Sequence, residues 1–245
     1  MRVTRSTEFG FSAPRANGAS VAHRPAAERG SSYVQYGCGL CAPEGWINFD
    51  ASPRLRIERT YGLRSVLRVS VGQLFPPNVR SGDIARGLPL ADGNAQGVYC
   101  SHVLEHVPRD DIPAVLRNTF RLLRPGGVFR LVVPDLQRRV ARYLASASGG
   151  DAMAADTLIE SCLLGTRRRP RTPASWLRQQ FGRSAHLWMY DFAALRYLLV
   201  EAGFDQIRRC TLGDSDDPMF ALVEEADRFY EAGEAELAIE AIRPI

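Results

Sequence analysis

Short apolar runs, each closed by a glycine or a carboxylate, alternate along this chain with longer stretches whose apolar positions recur every three or four residues. The first such pair is Tyr33 to Asp50, YVQYGCGLCAPEGWINFD, where one run breaks into Gly37-Cys38-Gly39 and the next ends on Asp50. It reads as strand, glycine turn, strand, acid. Further on, AQGVYCS (95–101) predicts a buried strand, Asp110 and Asp111 are candidate N-caps, and Pro113 suits a first helical turn, where its missing N–H costs nothing. Ile112, Val115, Leu116, Phe120 and Leu123 fall close to one helical face. Pro125-Gly126-Gly127 stops that helix, and residues 128–133 form the next strand, which ends at Pro134-Asp135. This βαβ order predicts parallel strands joined by a right-handed crossover.

The remaining segments are assigned in the same way. Arg54 to Val79 is irregular, with part of it helical, and residues 79–84 supply a short strand finishing near Asp83. From Leu136 to about Arg183 the chain makes an excursion, with helices near 136–147 and 152–164 followed by an arginine-rich run. Asp191 caps a helix that turns Leu195, Leu198, Leu199 and Ala202 inward and closes on Gly203-Phe204. Residues 207–212 and 219–224, separated by GDSDDP, predict an antiparallel pair, and the acid- and alanine-rich tail from Ala226 predicts an exposed helix. The expected organisation is an irregular extension over 1–30, one domain over 31–225 with a substrate-side insertion at about 136–190, and a helical tail over 226–245. The fold class is α/β, a doubly wound mixed sheet, mostly parallel with one antiparallel strand near the C-terminus and helices on both faces. Ligands of such sheets bind beyond the carboxyl ends of the strands, which would gather Gly37, Asp50, Asp83, Ser101 and Asp135 along one edge. Glycines there permit close backbone approach, and Asp50 suits a ribose diol, so a nucleoside-containing cofactor is expected.

Composition narrows the chemistry. All 31 basic residues are arginine, which excludes a Schiff-base lysine, a Walker-type phosphate loop and a lysine general base. Arg167, Arg168, Arg169, Arg171 and Arg178 can contact an anionic substrate, although a solvated loop is the better reading of such a run. Five scattered cysteines make no disulfide framework, and Cys38–Cys41 is a CxxC without the second ligand pair a zinc site needs. No run approaches the ~20 apolar residues that span a bilayer, and no signal peptide is visible, so a soluble, cytoplasmic protein is expected.

Taken in order, YGCG with Asp50, SGDIARGLPLADGNAQGVYCSHVLEHV, LRPGGVFRLVVPDL and HLWMYDFAALRYLLVEAGF resemble the class I S-adenosylmethionine-dependent methyltransferases, whose fold is Rossmann-like. The resemblance covers most of Tyr33 to Phe204 and is nearest to small bacterial members found among genes for cell-surface polysaccharides. It implies S-adenosylmethionine as cofactor. Gly37, Cys38 and Gly39 would lie under its methionine and ribose, Asp50 on the ribose hydroxyls, Asp83 and the Ile84 backbone at the adenine, and Ser101 and His102 along the same wall. Glu105 and His106, of the LEH signature, would shape a helix start. Two positions depart from the pattern: the acid usual before the first glycine is Gln35, and the third glycine is Cys41. Gly37 to Asp50 is also shorter than the ~20 residues of a dinucleotide fingerprint, which leaves no room for a full first crossover helix and argues against an NAD domain.

Methyl transfer to a small-molecule or glycan acceptor, at oxygen, is the activity the resemblance implies, with no metal required. His102, Asp135 and His186 are the candidates for removing the acceptor's proton. The alternatives are a non-catalytic member that binds cofactor or partner, and a nucleic-acid methyltransferase, for which no aromatic-interleaved basic patch speaks. The oligomeric state is open, a homodimer included.

Overall fold

A computed structural model describes residues 32–59, 73–166, 172 and 185–245 of the chain. The expected extension over 1–30 and the arginines at 167–171 and 178 lie outside the described residues. Seven strands form one sheet in the order β3-β2-β1-β4-β5-β9-β6. β1 (Ser32–Tyr36), β2 (Trp46–Asp50), β3 (Val79–Ser81), β4 (Ala95–Ser101) and β5 (Leu123–Val133) pair in parallel. β9 (Leu237–Ile242) is the antiparallel member, hydrogen-bonded to β5 on one side and to β6 (Asp205–Arg209) on the other. A two-stranded ribbon, β7 (Tyr230–Glu231) with β8 (Glu234–Ala235), lies apart from it.

Between β1 and β2 the chain runs from Gly37 to Gly45 through turns alone, without a helix. The first crossover is thus as short as the Gly37–Asp50 spacing predicts. α1 (Pro53–Arg59) follows β2, and α2 (Ile112–Leu122) joins β4 to β5. α2 buries Ile112, Val115, Leu116 and Thr119 against the sheet, and Thr119 Oγ1 meets the buried Tyr36 hydroxyl at 3.1 Å. α3 (Leu136–Ser148) and α4 (Ala154–Ser161) make up the described part of the excursion, and α5 (Phe192–Glu201) is capped by Asp191, whose Oδ1 accepts from Ala194 N at 2.8 Å. Gly203 follows with φ +98° and Phe204 returns to the core, which is the stop the sequence predicts.

Strand alternation divides the core into two layers. Val98, Cys100, Leu131, Val133 and Ile239 pack with α2 and α5, while Tyr99, Val132 and Ala238 point the other way onto Trp46, Phe220, Val223 and Phe229. The second layer is covered by a 3-10 turn, Pro218–Leu222, and by the four-residue helix α6 (Ala226–Phe229).

Three expectations are corrected. Residues 219–224 are not a strand: 219–222 belong to that 3-10 turn, where Pro218 removes a donor and Asp217 caps with Oδ1 on Met219 N at 3.0 Å. The partner of β6 is instead β9, within the tail predicted to be an exposed helix. Leu237, Ile239 and Ala241 are fully buried in the larger core layer, so sheet pairing and burial on both faces outweigh the helix propensity of Glu and Ala. Strand β5 also begins at Leu123, before Pro125-Gly126-Gly127. Its pairing jumps from Ala95↔Leu123 to Gly97↔Val128, so the proline and glycines bulge out of the ladder rather than precede it.

Candidate functional site

A cleft of about 440 Å³ opens at the carboxyl ends of β1, β2, β3 and β4. Its floor is set by the turn after β1, where Gly37 and Gly39 both take left-handed φ, +67° and +55°. A Cβ on Gly37 would fall 2.2 Å from Val103 Cγ2, so only glycine fits against that wall. Asp50 ends β2 facing the same space, and its carboxylate holds two backbone donors: Gly39 N at 3.0 Å on Oδ2 and Ser52 N at 2.7 Å on Oδ1. Each oxygen keeps further acceptor capacity for a ligand. Asp83 caps the 3-10 turn Ile84–Arg86 through Oδ1 on Ala85 N at 3.0 Å, and with Ile84 it forms the far wall.

His102, at the end of β4, also lines this cleft, with φ +52°, a strained value for a residue that carries a Cβ. Its Nδ1 lies 3.1 Å from Glu105 Oε1 and its Nε2 2.9 Å from the Arg228 carbonyl. Facing a carboxylate and a carbonyl, both acceptors, the ring is placed to donate from both nitrogens, as its positively charged form does. Burial works against that charge, but the hydrogen bond and charge of Glu105, with the Arg228 carbonyl, raise the pKa above the ordinary histidine value. His102 faces a second, smaller cleft of about 150 Å³ as well, lined by Pro134, Arg139, Leu163, His186 and Tyr230 among others.

Of the residues predicted to bind cofactor, Gly37, Asp50, Asp83, Ile84 and His102 therefore share one cleft. Gly39 supports it through Asp50. Cys38 is buried beneath the turn, its thiol pushed up to about 12 by burial and then by the Asp50 charge. Ser101 does not line the cleft, and its Oγ is buried without a partner. Asp135 is also absent from both clefts: Oδ1 caps α3 on Arg138 N at 3.3 Å and Oδ2 pairs with Arg209 at 3.3 Å. His186 lines the smaller cleft only, with burial first among the causes that lower its pKa.

Gln35, which sequence comparison marks only as a departure, has a structural part. It is 4 % exposed, its Nε2 donates to the Cys41 carbonyl at 3.3 Å, and its Oε1 has no partner. It thereby ties together the turn that contains the other departure.

A family model described as Methyltransferase domain matches residues 22–208. The chain belongs to the methyltransferase domain family. Among solved structures, a SAM-dependent methyltransferase from Archaeoglobus fulgidus is 16 % identical, with 88 % of this chain and 87 % of that one covered at a TM-score of 0.44. A possible histamine N-methyltransferase from Thermotoga maritima is 13 % identical over 87 % of this chain and 83 % of that one, at 0.43. No curated protein matches the sequence. The residues present fit S-adenosylmethionine, the cofactor that the sequence resemblance implies. The Gly37 turn excludes even a methyl group, Asp50 and Asp83 offer acceptors, and Gln35 Oε1 is a buried acceptor left orphaned at the same strand end. No helix among the described residues is long and apolar enough to cross a membrane.

Proposed function

We propose that this methyltransferase methylates an oxygen of a small-molecule or glycan acceptor in the cytoplasm. What carries the reading is the single cleft that gathers Gly37, Asp50, Asp83, Ile84 and His102 beyond the carboxyl ends of the strands. The glycan class is supported by the resemblance of the YGCG…GWINFD and SHVLEHV segments to members found among polysaccharide genes. When bound, S-adenosylmethionine supplies a methyl group already activated on a sulfonium, so the protein mainly positions the acceptor.

In this reading Asp50 accepts hydrogen bonds from the ribose hydroxyls and Asp83, beside the Ile84 backbone, meets the adenine amino group. Gln35 Oε1 takes a donor from the cofactor's ammonium. Gly37 keeps backbone close to the ligand, and Cys38, Gly39 and Ser101 act from beneath by holding the strand ends. The acceptor enters the smaller cleft, which His102 links to the larger one. Of the three residues considered for removing the acceptor's proton, His102 has no lone pair while both nitrogens donate, and Asp135 lines neither cleft. His186 lines the wall of the acceptor cleft, with its unpartnered Nδ1 buried behind that wall.

Calorimetry of the full chain with S-adenosylmethionine tests the cofactor assignment, using Asp50→Asn as the variant that keeps an acceptor for the turn. Wild type binds, and the variant binds at least tenfold more weakly, about 1.4 kcal/mol. A folded wild type that does not bind overturns the placement. Transfer of labelled methyl to a panel of sugar hydroxyls, amines and carbon acids then decides the atom. Labelling confined to amines or carbon rejects the oxygen assignment.

A further inference from the structure

Three of the chain's four histidines meet at the wall between the two clefts: His106 lines the larger, His186 the smaller, and His102 both. Beside them stands Glu105, with no exposed surface. Its Oε1 faces His102, and its Oε2 has no hydrogen-bond partner. A carboxylate oxygen stripped of water and given nothing in return is rare in native proteins and calls for an explanation.

His186 is in the same condition. It is 8 % exposed and its Nδ1 has no partner. On a neutral ring that nitrogen can offer a lone pair. His106 donates from Nδ1 to the Ala185 carbonyl at 3.2 Å, which leaves its Nε2 as a lone pair too. One ligand atom from each of Glu105, His106 and His186 lies within 4.8 Å of the others.

Backbone bonds fix the approach. Leu187 N and Trp188 N both donate to the Glu105 carbonyl, at 2.7 and 3.2 Å, and His186 N donates to Leu163 O at 3.1 Å. The turn carrying Glu105 and His106 is thus stitched to the segment carrying His186.

We propose that Glu105, His106 and His186 bind one divalent transition-metal ion of the zinc or iron(II) class. Two neutral imidazoles and one carboxylate are the donor set those ions take while keeping coordination positions open, whereas magnesium and calcium prefer oxygen ligands. His106 is anchored on Ala185 O and Glu105 on His102, as second-shell partners anchor metal ligands. Ligand atoms in a tetrahedral zinc site stand about 3.3 Å apart, so the three side chains draw together when the ion binds. His106 lines the larger cleft and His186 the smaller, so the ion would sit at their boundary. The site stands whether or not the methyl-transfer reading does.

The test takes the full chain, stripped by a chelator and dialysed, and titrates it with zinc chloride and cobalt chloride. One zinc per chain should survive gel filtration, with a rise in melting temperature, and cobalt should give visible d–d absorption without a thiolate charge-transfer band. His186→Ala should weaken zinc binding at least tenfold. Because His186 is buried, His106→Gln is the second variant: it should melt as wild type without zinc and lose binding to the same extent, while Cys41→Ser binds normally. Substoichiometric zinc on the wild type, binding that survives both histidine substitutions, or a thiolate band overturns the proposal.

Discussion

Gly37 and Gly39 look alike in the sequence, as two glycines flanking Cys38, yet the structure asks different things of them. Both hold left-handed φ, which costs a side chain about 1–2 kcal/mol. Gly37 alone also faces Val103 at a distance that no Cβ tolerates, whereas a Cβ on Gly39 would meet nothing within 4 Å. Overpacking adds typically ~1–3 kcal/mol. Gly37→Ala should therefore lose roughly 2–5 kcal/mol in urea denaturation and Gly39→Ala only about 1–2. Equal losses would mean that Val103 gives way freely. Asp50 also gains a role at this scale. Its position at a strand end was legible from the run GWINFD. That its Oδ2 holds the N–H of Gly39 was not, because that bond forms only once β1 and β2 lie side by side.

At the scale of elements, the C-terminal strand is where local preference and fold disagree. EAELAIEAI has the composition of an exposed helix, but between β5 and β6 its residues are buried on both faces, and Ile239 has no exposed surface. Ile239→Ala should cost about 2–5 kcal/mol in stability, against less than about 0.5 had the tail been a solvated helix. The turn into this strand is pinned by Glu236, which pairs with Arg139 on α3 through two 2.9 Å contacts while Oε2 also accepts from Asp135 N at 2.8 Å. Burial pushes the Glu236 carboxyl up, but Arg139 and the Asp135 N–H outweigh it and hold it below the usual carboxylate range. A depressed folded pKa means stability that is fully present above the unfolded value of about 4.3 and lost as pH falls through the folded one. Melting curves from about pH 7 to pH 3 should show Glu236→Gln destabilised at neutral pH, with the gap to wild type narrowing in acid. A constant gap would remove Glu236 from the acid response. β5 shows a comparable dependence on context. Its Arg130, 1 % exposed, meets Glu224 at 2.7 Å, Asp214 at 3.0 Å and Glu240 of β9 at 2.6 Å, which joins three distant segments on a charge that sequence pattern places inside a strand without naming partners.

For the whole molecule, the cleft makes ligand and fold one equilibrium. S-adenosylmethionine at a hundred times its dissociation constant should stabilise the native chain by about 2.7 kcal/mol, read as a higher melting temperature that Asp50→Asn largely forfeits. The same shift in both proteins would place the ligand elsewhere. The sequence by itself determined the parallel half of the sheet, its order of elements, the short first crossover, the capped helix after Asp191 and the edge on which Gly37, Asp50 and Asp83 gather, because these are written in local periodicity, caps and turn residues within a few tens of positions. Only the tertiary structure decided the identity of the antiparallel strand, the engagement of His102 at both nitrogens, and the meeting of Glu105 and His106 with His186. Each depends on partners far apart in the chain, as His102 does on Arg228 and β9 on both β5 and β6, and pairings of that kind leave no period or spacing in the sequence to be read.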